Sequence, residues 1–549
     1  MPSARHAAIF YQPEGYVTTS QRLMGRQAAG EGFLRAAAQS NAARLNCHTD
    51  TPDAAQHFAQ QLAQHGFTGQ AGWVPLAHPE GLNEDGCLYL PGPNLTDTAW
   101  QRTPARARNY SLCGITHTTA SHIAMSSITD LLTAPVRSWD ALICTSTAVR
   151  DTVRHLLEKQ AHYLRERLGA TRFELPQLPV IPLGVHCADY DFSAADRATA
   201  RTTLRIAEEE IVVLFVGRLA FHAKAHPLQM FTALQRAAPG RRVRLVQCGW
   251  YANDAIEAAF NDAARALCPD ITLQHVDGRD PVGRRHAWAS ADIFVSLSDN
   301  VQETFGLTPL EAMAAGLPLI VSDWDGYKDT VRDGVDGYRV ASLIPPAGSG
   351  ADLAQRYASG TDTYDFYCGF TSQFAAFDPE ALTSACRQLI NDPALRRKMG
   401  EAGRERARSL YDWSVVYRQY QSLWDDLAER RRADPDLHPA LTSASRPERP
   451  DPFAAFAGYA TTQLGDAHVV ALLDGASGLD QRRNLALNSF AAALQPNAEE
   501  CAAIIGLLKQ NGPQTAGAIM QKFAPQQRNH IARGLVWLAK MEAVRITAP

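Results

Sequence analysis

The sequence lacks several features that would place it in a membrane or outside the cell. No stretch of apolar residues approaches the roughly 18 that are needed to cross a bilayer. The first residues pass from Arg5 and His6 directly into a short strand-like segment, without the apolar core and cleavage site of a secretory signal. We therefore expect a cytoplasmic protein, for which peripheral contact with a membrane surface stays open.

Cysteine pairs and an excess of charge are also missing. The ten cysteines include no C-x-x-C pair, which argues against a zinc ribbon or a disulfide framework and favours small core residues in a reducing compartment. The 53 basic and 57 acidic residues give a formal net charge of -4. That balance argues against nucleic-acid binding along the whole chain, although one domain can still carry a basic face.

What the sequence does contain is ample material for buried cores. Apolar residues make up 46% of its 549 residues and charged residues 20%, which is the composition of a globular protein. The length predicts roughly three to four domains. No repeat of fixed period is visible.

Short apolar segments alternate with helical patterns through the first third of the chain. The stretches 20–39 and 149–168 have helical patterns, and the second is highly charged, as expected of a surface helix. The predicted strands are 7–12, 43–47, 72–76, 87–90, 110–116, 141–145 and 180–185. Apolar strands that alternate with helices predict a parallel sheet covered on both faces.

A second set of apolar segments follows the polar stretch 193–210. Its predicted strands are 211–216, 243–248, 271–276, 293–297 and 317–321. Two consecutive doubly wound α/β units explain both sets. Because ligands bind beyond the carboxyl ends of the strands in such folds, we expect the site in the cleft between the two units.

Three parts of the chain exceed this plan. The stretch 348–374 is a Gly/Tyr/Asp-rich insertion with little periodicity, for which a place over the cleft in an acceptor site and an ordinary packed loop both stay open. The proline-rich stretch 431–452 predicts an extended linker. The last part, 453–549, is predominantly helical in pattern.

The most informative segment is ETFGLTPLEAMAAGLP, which begins at Glu303 and ends at Pro318. Thr308 suits the N-cap of a helix, Pro309 its first position and Glu311 the third position of a capping box, while Gly316 and Pro318 predict its end after about two turns. The backbone N–H groups at the start of this helix form an anion site suited to a phosphate.

A simpler interpretation of the two glutamates remains. Glu311 would cap its own helix, and Glu303 would be a solvated loop acid. The combination weighs against this interpretation, because the glutamates lie eight residues apart, flank a Phe-Gly-Leu loop and lie between two predicted strands.

The segment resembles the nucleotide-sugar site of retaining glycosyltransferase family 4. The stretch 321–337 is similar to the family's usual continuation, except that Asp325 stands where a second glycine is common and Asp329 where Glu is common. The likeness covers about residues 7–430 and is strongest at 211–340. It implies a retaining hexosyltransferase that moves a sugar from a UDP- or GDP-sugar to an acceptor hydroxyl.

The resemblance implies an α/β protein of the GT-B fold, in which two Rossmann-like doubly wound domains face a cleft. A small, mainly helical domain follows them. The implied boundaries are an acceptor-side domain at 1–195, a nucleotide-sugar-binding domain at 196–410, a helix at 411–430 that crosses back to the first domain, a linker at 431–452 and a helical domain at 453–549.

The resemblance also assigns roles to individual residues. Arg218, in Phe-Val-Gly-Arg-Leu, and the following Lys224 would contact the donor diphosphate, as leaving-group chemistry requires. Five residues separate them, where four are commonest in the family. His117 would lie near the transferred sugar, and Gly15 would let the backbone approach the diphosphate. Two surface cations and a structural histidine are the simpler alternatives.

The glutamates and the loop between them complete the implied site. Glu303 would hold sugar hydroxyls and Glu311 would accept from the ribose hydroxyls. The loop residues that would hold the diphosphate through their amides are Phe305, Gly306 and Leu307. The implied catalytic set is therefore Glu303, His117, Arg218 and Lys224.

No metal and no further cofactor are expected, because two cations and a helix N-terminus already stabilise the diphosphate. Two sequences match a metal-binding D-x-D, one from Asp189 to Asp191 and one from Asp323 to Asp325, and we interpret both as turns. The acceptor class stays open among a glycan, a lipid-linked sugar, a peptide and a small molecule. A non-catalytic GT-B protein that binds sugar nucleotides or acts as a scaffold through its last domain is the alternative function.

Helical patterns at 497–510, 515–523 and 526–541 are followed by one short strand at 542–547, and this order resembles a winged-helix module. The residues in position to contact a partner are Arg528, Asn529, Arg533 and Lys540. From 497 onward, six Lys and Arg stand against three Asp and Glu. We expect a protein partner in preference to nucleic acid, because this excess of positive charge is small.

Overall fold

A computed structural model of the chain describes residues 6–16, 25–102, 107–435 and 446–549. The chain divides into two compact units, Met1–Ala444 and Ser445–Pro549. Within the described ranges, no helix has the length and apolar character needed to cross a bilayer. The ten cysteines are all free and buried, which confirms the prediction that they are core residues.

The first domain is built on a six-stranded sheet in the order β3-β2-β1-β4-β5-β6. All its neighbouring strands are parallel. The strands are β1 Ala8–Phe10, β2 Arg44–Thr49, β3 Gln70–Pro75, β4 Cys87–Tyr89, β5 Ser111–Ile115 and β6 Ala141–Ile143. The helices are α1 Gly25–Ala38, α2 Pro52–Gln64, α3 Leu82–Asp85, α4 Thr96–Gln101, α5 His122–Thr129 and α6 Thr147–Leu168.

Local sequence explains where several of these helices begin and end. The side chains of Thr51, Ser121 and Ser146 cap α2, α5 and α6 by accepting a hydrogen bond from the third backbone N–H after each of them. Gly169 ends α6 in the left-handed conformation. Helix α6 begins shortly after the carboxyl end of β6, and α5 follows β5 after the loop 116–121.

The second domain repeats the design with the order β12-β11-β10-β7-β8-β9, again all parallel. The helices are α7 Ala194–Thr203, α8 Leu228–Ala237, α9 Asp254–Leu267, α10 Pro281–Ser290, α11 Leu307–Ala314, α12 Tyr327–Thr330, α13 Ala351–Ala358, α14 Tyr364–Ser372, α15 Pro379–Asn391 and α16 Pro393–Arg406. The strands of this sheet are β7 Ile211–Val216, β8 Val243–Gly249, β9 Thr272–Asp277, β10 Ile293–Ser296, β11 Leu319–Ser322 and β12 Gly337–Val340. Two short strands, β13 Ser342–Leu343 and β14 Ala376–Phe377, form a separate antiparallel pair.

A long helix, α17 Trp413–Ala433, packs on the first domain. The ring of Tyr417 lies 5.7 Å from that of Phe33 in α1. The Trp413 indole lies against Gly32 and Gly184, where a Cβ atom on either glycine would collide with it. The two glycines therefore allow this helix to approach the first domain closely.

Three predicted elements differ from the structure. The stretch 180–185 is not a strand, because only isolated bridges at Val180 and Val185 pair it with neighbouring segments. The insertion 348–374, predicted to have little periodicity, contains α13 and α14. The linker prediction is wrong at its start, because α17 continues to Ala433 and buries Arg431; its residues 436–445 lie outside the described ranges.

The second unit has a core of its own around Val470, Ile504, Ile531 and Leu535. Its strands β15 Val469–Leu472, β16 Gln514–Thr515 and β17 Val544–Thr547 form an antiparallel sheet in the order β16-β15-β17. Its helices are α18 Pro452–Ala455, α19 Leu479–Arg483, α20 Ala486–Ser489, α21 Ala498–Asn511, α22 Ala516–Met520 and α23 Arg528–Lys540. The strand predicted to stand alone thus belongs to a three-stranded sheet, because it pairs with residues about 75 positions earlier.

Candidate active site

The predicted cations and glutamates lie at the point where strand order reverses in the second sheet. Strands β7 and β10 are neighbours there, and their carboxyl ends lead into the segments that carry Arg218 and Glu303. In doubly wound folds this reversal opens a crevice beyond the strand ends. Two segments that are far apart in sequence therefore contribute to one site.

Lys224 and Glu303 form an ion pair in this crevice. Their side chains are 30% and 11% exposed, so the lysine is still reachable from solvent. The five residues before Lys224 form a tight turn, in which the Lys224 amide donates to the Ala220 carbonyl at 2.9 Å. This turn accommodates the extra residue between the two cations and brings Lys224 to Glu303.

Arg218 lies beside the same segment and is held by two acceptors. Its Nη2 atom donates to Oε1 of Gln302 at 2.8 Å and to the Ala223 carbonyl at 3.1 Å. Among the described residues, its Nε and Nη1 atoms have no hydrogen-bond partner. A guanidinium offers five N–H donors, so Arg218 retains donors that can bind an anion.

Helix α11 begins two residues earlier than predicted. Its N-cap is Gly306, at φ 83°, and Thr308 lies within the first turn. The predicted capping box is therefore wrong, because Thr308 does not occupy the N-cap position. Only glycine suits residue 306, since its φ is positive and a Cβ atom there would collide with the Tyr327 ring.

The start of α11 presents backbone donors, as the sequence predicted. Among the described residues, the amides of Phe305, Gly306 and Leu307 donate to no backbone or side-chain acceptor. The Phe305 ring itself is buried, so this residue offers its backbone to a ligand while its side chain anchors the loop. Free amides at a helix N-terminus form an anion site.

Glu311 lies in the first turn of α11, and burial raises the pKa of its carboxyl group. A hydrogen bond to Tyr190 opposes that shift, as do the positive charges of Arg284 and Lys224. Tyr190 and Arg284 are functional candidates that the sequence analysis missed. No motif surrounds either of them, and only the packing of the loop at 187–190 and of α10 brings them to Glu311.

His117 lies on the first domain's side of the crevice. Its carbonyl accepts a hydrogen bond of 3.2 Å from the Thr304 hydroxyl, next to Glu303. Desolvation, with a smaller contribution from the charge of Arg26, lowers the pKa of His117 to about 4. The imidazole is therefore neutral at pH 7 and can accept or donate a hydrogen bond, but it is not a cation.

Asp325 is a second candidate that the motifs did not assign. It has φ 41°, which explains why glycine is common at this position in the resembling family. Its Oδ1 atom accepts from the Ser146 hydroxyl at 3.0 Å, whereas Oδ2 is buried without a partner among the described residues. Burial and the nearby charge of Glu303 raise the pKa of Asp325 to about 8.

Gly15 lies in the first domain, just beyond the carboxyl end of β1. It closes a short 3-10 turn after β1, and no hydrogen bond among the described residues joins it to Arg218, Lys224 or Glu303. The neighbouring residues Gln12, Pro13 and Glu14 line a cavity of about 600 Å³. The role of Gly15 at the diphosphate stays a prediction.

The aspartates of the two D-x-D sequences contact other side chains of the protein. Asp189 pairs with Arg35 at 2.6 Å and Asp191 with Arg408 at 3.3 Å. Asp323 pairs with Arg339 at 3.3 Å. Across the described ranges, no group of three or more His, Cys, Asp or Glu residues is arranged to hold a metal ion. The absence of a metal from the reaction stays a prediction.

The second domain also matches a known family. Residues 196–347 match the family described as glycosyl transferases group 1. This part of the chain is a group 1 glycosyl transferase domain. The matched residues include Arg218, Lys224, Glu303 and Glu311, so the second domain's side of the crevice lies within the matched region.

Parts of the chain are similar in sequence to several named proteins. Over 247 residues it is 27% identical to D-inositol 3-phosphate glycosyltransferase of Corynebacterium glutamicum, covering 44% of this chain and 50% of that protein. It is 31% identical over 150 residues to phosphatidyl-myo-inositol mannosyltransferase of Mycobacterium leprae, with coverage of 27% and 30%. The match to glycogen synthase of Mycobacterium tuberculosis is 26% over 282 residues, with coverage of 51% and 53%. The chain thus spans about half or less of the relatives it matches.

A solved structure supports the fold. The crystal structure of Anabaena HepE in complex with UDP aligns with a TM-score of 0.50 at 17% identity, over 77% of this chain and 100% of that one. At this identity the similarity concerns the fold alone. Together with the two parallel sheets, it shows that the glycosyl transferase domain and the domain before it have the GT-B fold.

Proposed function

We propose that this protein is a retaining glycosyltransferase that moves a sugar from a UDP- or GDP-sugar to an acceptor hydroxyl without a metal ion. The observation that carries the proposal is that three groups able to bind a diphosphate lie in one crevice. These are the partly free guanidinium of Arg218, the reachable ammonium of Lys224 and the free amides that begin α11.

The proposed reaction needs charge stabilisation more than a protein acid or base. The bond between the sugar C1 atom and the diphosphate oxygen breaks, and a bond between C1 and the acceptor oxygen forms on the same face. The acceptor proton passes to the departing phosphate oxygen. Arg218, Lys224 and the α11 amides stabilise the negative charge that grows on the leaving nucleoside diphosphate.

The Lys224–Glu303 ion pair suggests how two opposite charges are kept together at this site. Each residue neutralises the other in a half-buried position, where an unpaired charge is costly. We infer that a bound diphosphate takes over Lys224, which frees the Glu303 carboxylate for the sugar hydroxyls. Donor binding would then assemble both halves of the site in one step.

The proposed roles of Glu311 and His117 take account of their shifted pKa values. The raised pKa of Glu311 reflects burial, and we propose that its carboxyl group accepts from the ribose hydroxyls in place of Tyr190. His117 is neutral at pH 7 because its pKa is about 4, which suits a hydrogen bond to the transferred sugar and argues against a general acid at that position.

Binding and turnover of two variants test this assignment. We expect Arg218→Ala to reduce transfer at least about 100-fold, as the loss of a charge-stabilising group does. Glu311→Ala should also reduce transfer severely, because it removes the proposed contact with the ribose hydroxyls, and the fold of both variants should stay intact. Calorimetry and thermal shift with UDP-glucose, UDP-N-acetylglucosamine and GDP-mannose identify the donor, and nucleoside diphosphate release reports turnover.

The matched controls for this test are Arg265→Ala and Glu209→Ala. Both remove a charge from an exposed surface pair, so we expect wild-type binding and turnover. Near-normal turnover in Arg218→Ala and Glu311→Ala would contradict the site assignment. Donor binding without transfer to any acceptor would favour a non-catalytic sugar-nucleotide-binding or scaffold protein.

We propose a protein partner for the second unit. Residues Arg528, Asn529, Arg533 and Lys540 are exposed along α23, while Ile531, Leu535 and Leu538 on the same helix are buried in the unit's own core. A face with only three cations suits a protein surface better than a nucleic-acid backbone, which demands many cations.

A further inference from the structure

The insertion 348–374 contacts the first domain through two tyrosines. The Tyr357 hydroxyl accepts a hydrogen bond of 2.9 Å from the His122 amide, and the two rings lie 3.8 Å apart. The Tyr364 hydroxyl lies 3.2 Å from Oγ1 of Thr118, which directly follows His117. The insertion therefore reaches across from the second domain to the loop that carries His117.

Tyr364 also contacts the donor side of the crevice. Its hydroxyl accepts a hydrogen bond of 3.1 Å from Nε2 of Gln302, and Oε1 of Gln302 accepts from Arg218 at 2.8 Å. A continuous chain of hydrogen bonds thus joins Arg218, Gln302, Tyr364 and Thr118. It links the cation of the proposed diphosphate site to the first domain through the insertion.

The direction of this chain follows from the chemistry of its members. A guanidinium only donates, so the Gln302 oxygen must face Arg218 and its NH₂ group must face Tyr364. The Tyr364 and Thr118 hydroxyls form the last bond of the chain, in which either oxygen can donate. The Gln302 amide therefore has one orientation that satisfies both of its neighbours, and in that orientation its oxygen holds Arg218 Nη2.

We propose that Tyr364 is a positioning residue for donor binding, which orients Arg218 through Gln302 and couples that orientation to the first domain through Thr118. This inference rests on the proposed function, because it assumes that Arg218 binds a diphosphate. Arg218 Nη2 is used by Gln302 and Ala223, which aims Nε and Nη1 at the ligand. Without Tyr364, Gln302 loses its second anchor and Arg218 can turn away.

Calorimetry with nucleotides tests the coupling. We expect Tyr364→Phe to raise the Kd for UDP and GDP, whichever the wild type binds, by about threefold to tenfold, which corresponds to one lost hydrogen bond. The Kd for the matching monophosphate should stay unchanged, because the second phosphate is the group that Arg218 holds. If Tyr364 had a purely structural role, Tyr364→Phe would weaken the binding of the diphosphate and of the monophosphate alike.

The matched control is Tyr367→Phe in the same helix. Its ring stacks on Tyr357 at 4.2 Å, but its hydroxyl has no hydrogen-bond partner among the described residues, so both nucleotides should bind as to wild type. Gln302→Met provides a second test, should Tyr364→Phe unfold, because it breaks the same chain at its centre. It should produce the same selective loss of diphosphate binding.

A double-mutant cycle separates coupling from general damage. In an Arg218→Ala background, Tyr364→Phe should have no further effect on diphosphate binding, since no guanidinium remains to be oriented. Equal diphosphate binding by Tyr364→Phe and wild type, or the same loss with and without Arg218, would overturn the inference alone. No binding of UDP or GDP by the wild type would overturn the proposed function and this inference with it.

Discussion

At the scale of single residues, Asp325 combines an unfavourable backbone conformation with an unfavourable burial of its carboxyl group. Its φ of 41° lies in the left-handed region that glycine, Asn and Asp tolerate best, and its carboxyl group is buried close to Glu303. Buried acids are retained chiefly where they hydrogen-bond or act on a ligand. Here Ser146, the N-cap of α6, provides the hydrogen bond, so Asp325 joins the second domain to the first at the crevice.

The raised pKa of Asp325 predicts a pH-dependent effect of Asp325→Asn. The folded pKa of about 8 lies above the unfolded value of 3.8, so the protonated carboxyl favours folding below pH 4 and this contribution is lost as pH rises through 8. Asn cannot ionise and tolerates a positive φ. The free energy of unfolding of Asp325→Asn relative to wild type should therefore increase from pH 4 to pH 8. The increase should exceed about 1.4 kcal/mol, which is the free energy of one pKa unit.

Chemical denaturation at pH 4, 6 and 8 measures this difference. Asp325→Gly is the companion variant, because it also removes the carboxyl group and additionally relieves the backbone. Its stability relative to wild type should change with pH in parallel with that of Asp325→Asn. A difference between Asp325→Asn and wild type that does not vary with pH would contradict the raised pKa.

At the scale of secondary-structure elements, a buried ion pair ties together three segments of the first domain. Arg102, which follows α4, makes two hydrogen bonds of 2.7 Å with Asp140, which precedes β6, and donates to the Tyr110 carbonyl at 2.9 Å. Asp140 also accepts from the Leu112 amide in β5. Both side chains are fully buried, so neither charge has water as an alternative partner.

We expect Asp140→Ala to destabilise the first unit by about 3–5 kcal/mol, because it leaves the Arg102 charge buried and unpaired. Thermal or urea unfolding of the full chain measures the loss. The double variant Arg102→Met with Asp140→Leu should be milder, since it removes both charges. Arg242→Ala, which breaks an exposed pair with Glu209, should cost about 0–1 kcal/mol, and an equal cost at both sites would contradict the buried pair's role.

At the scale of the whole molecule, the chain consists of two units, each with a core of its own. The core of the second unit comes from its own helices α21, α22 and α23 and from its strands β15 and β17. No residue outside Ser445–Pro549 belongs to that core among the described residues. A unit that buries its own apolar surface can fold alone.

The fragment 445–549 should therefore fold by itself with a cooperative thermal transition seen by circular dichroism. The full chain should show this transition in addition to that of the first unit. We also expect the fragment to bind duplex DNA weakly or not at all at 150 mM salt, because it carries few cations on α23. A disordered fragment would contradict its independence, and tight, salt-sensitive duplex binding would contradict the proposed protein partner.

The sequence by itself determined the elements and the local chemistry. The apolar run at 211–216 coincides with β7, and the segment from Glu303 to Glu311 predicted a helix N-terminus with free amides. Such features depend on residues within one or two turns of each other, where periodicity and spacing carry the information. The predicted capping box was wrong because Gly306, where the Tyr327 ring leaves no room for a Cβ atom, occupies the N-cap position.

Only the tertiary structure decided which residues meet across the crevice. Thr118 and Tyr364 are 246 positions apart, and Ser146 and Asp325 are 179 apart. Neither pair lies within a common motif, and the insertion that carries Tyr364 lacks a clear pattern of its own. Contacts of this kind depend on how two sheets and their loops are packed, which no local spacing encodes. The sequence thus identified the chemistry of the site, and packing determined how its parts are held.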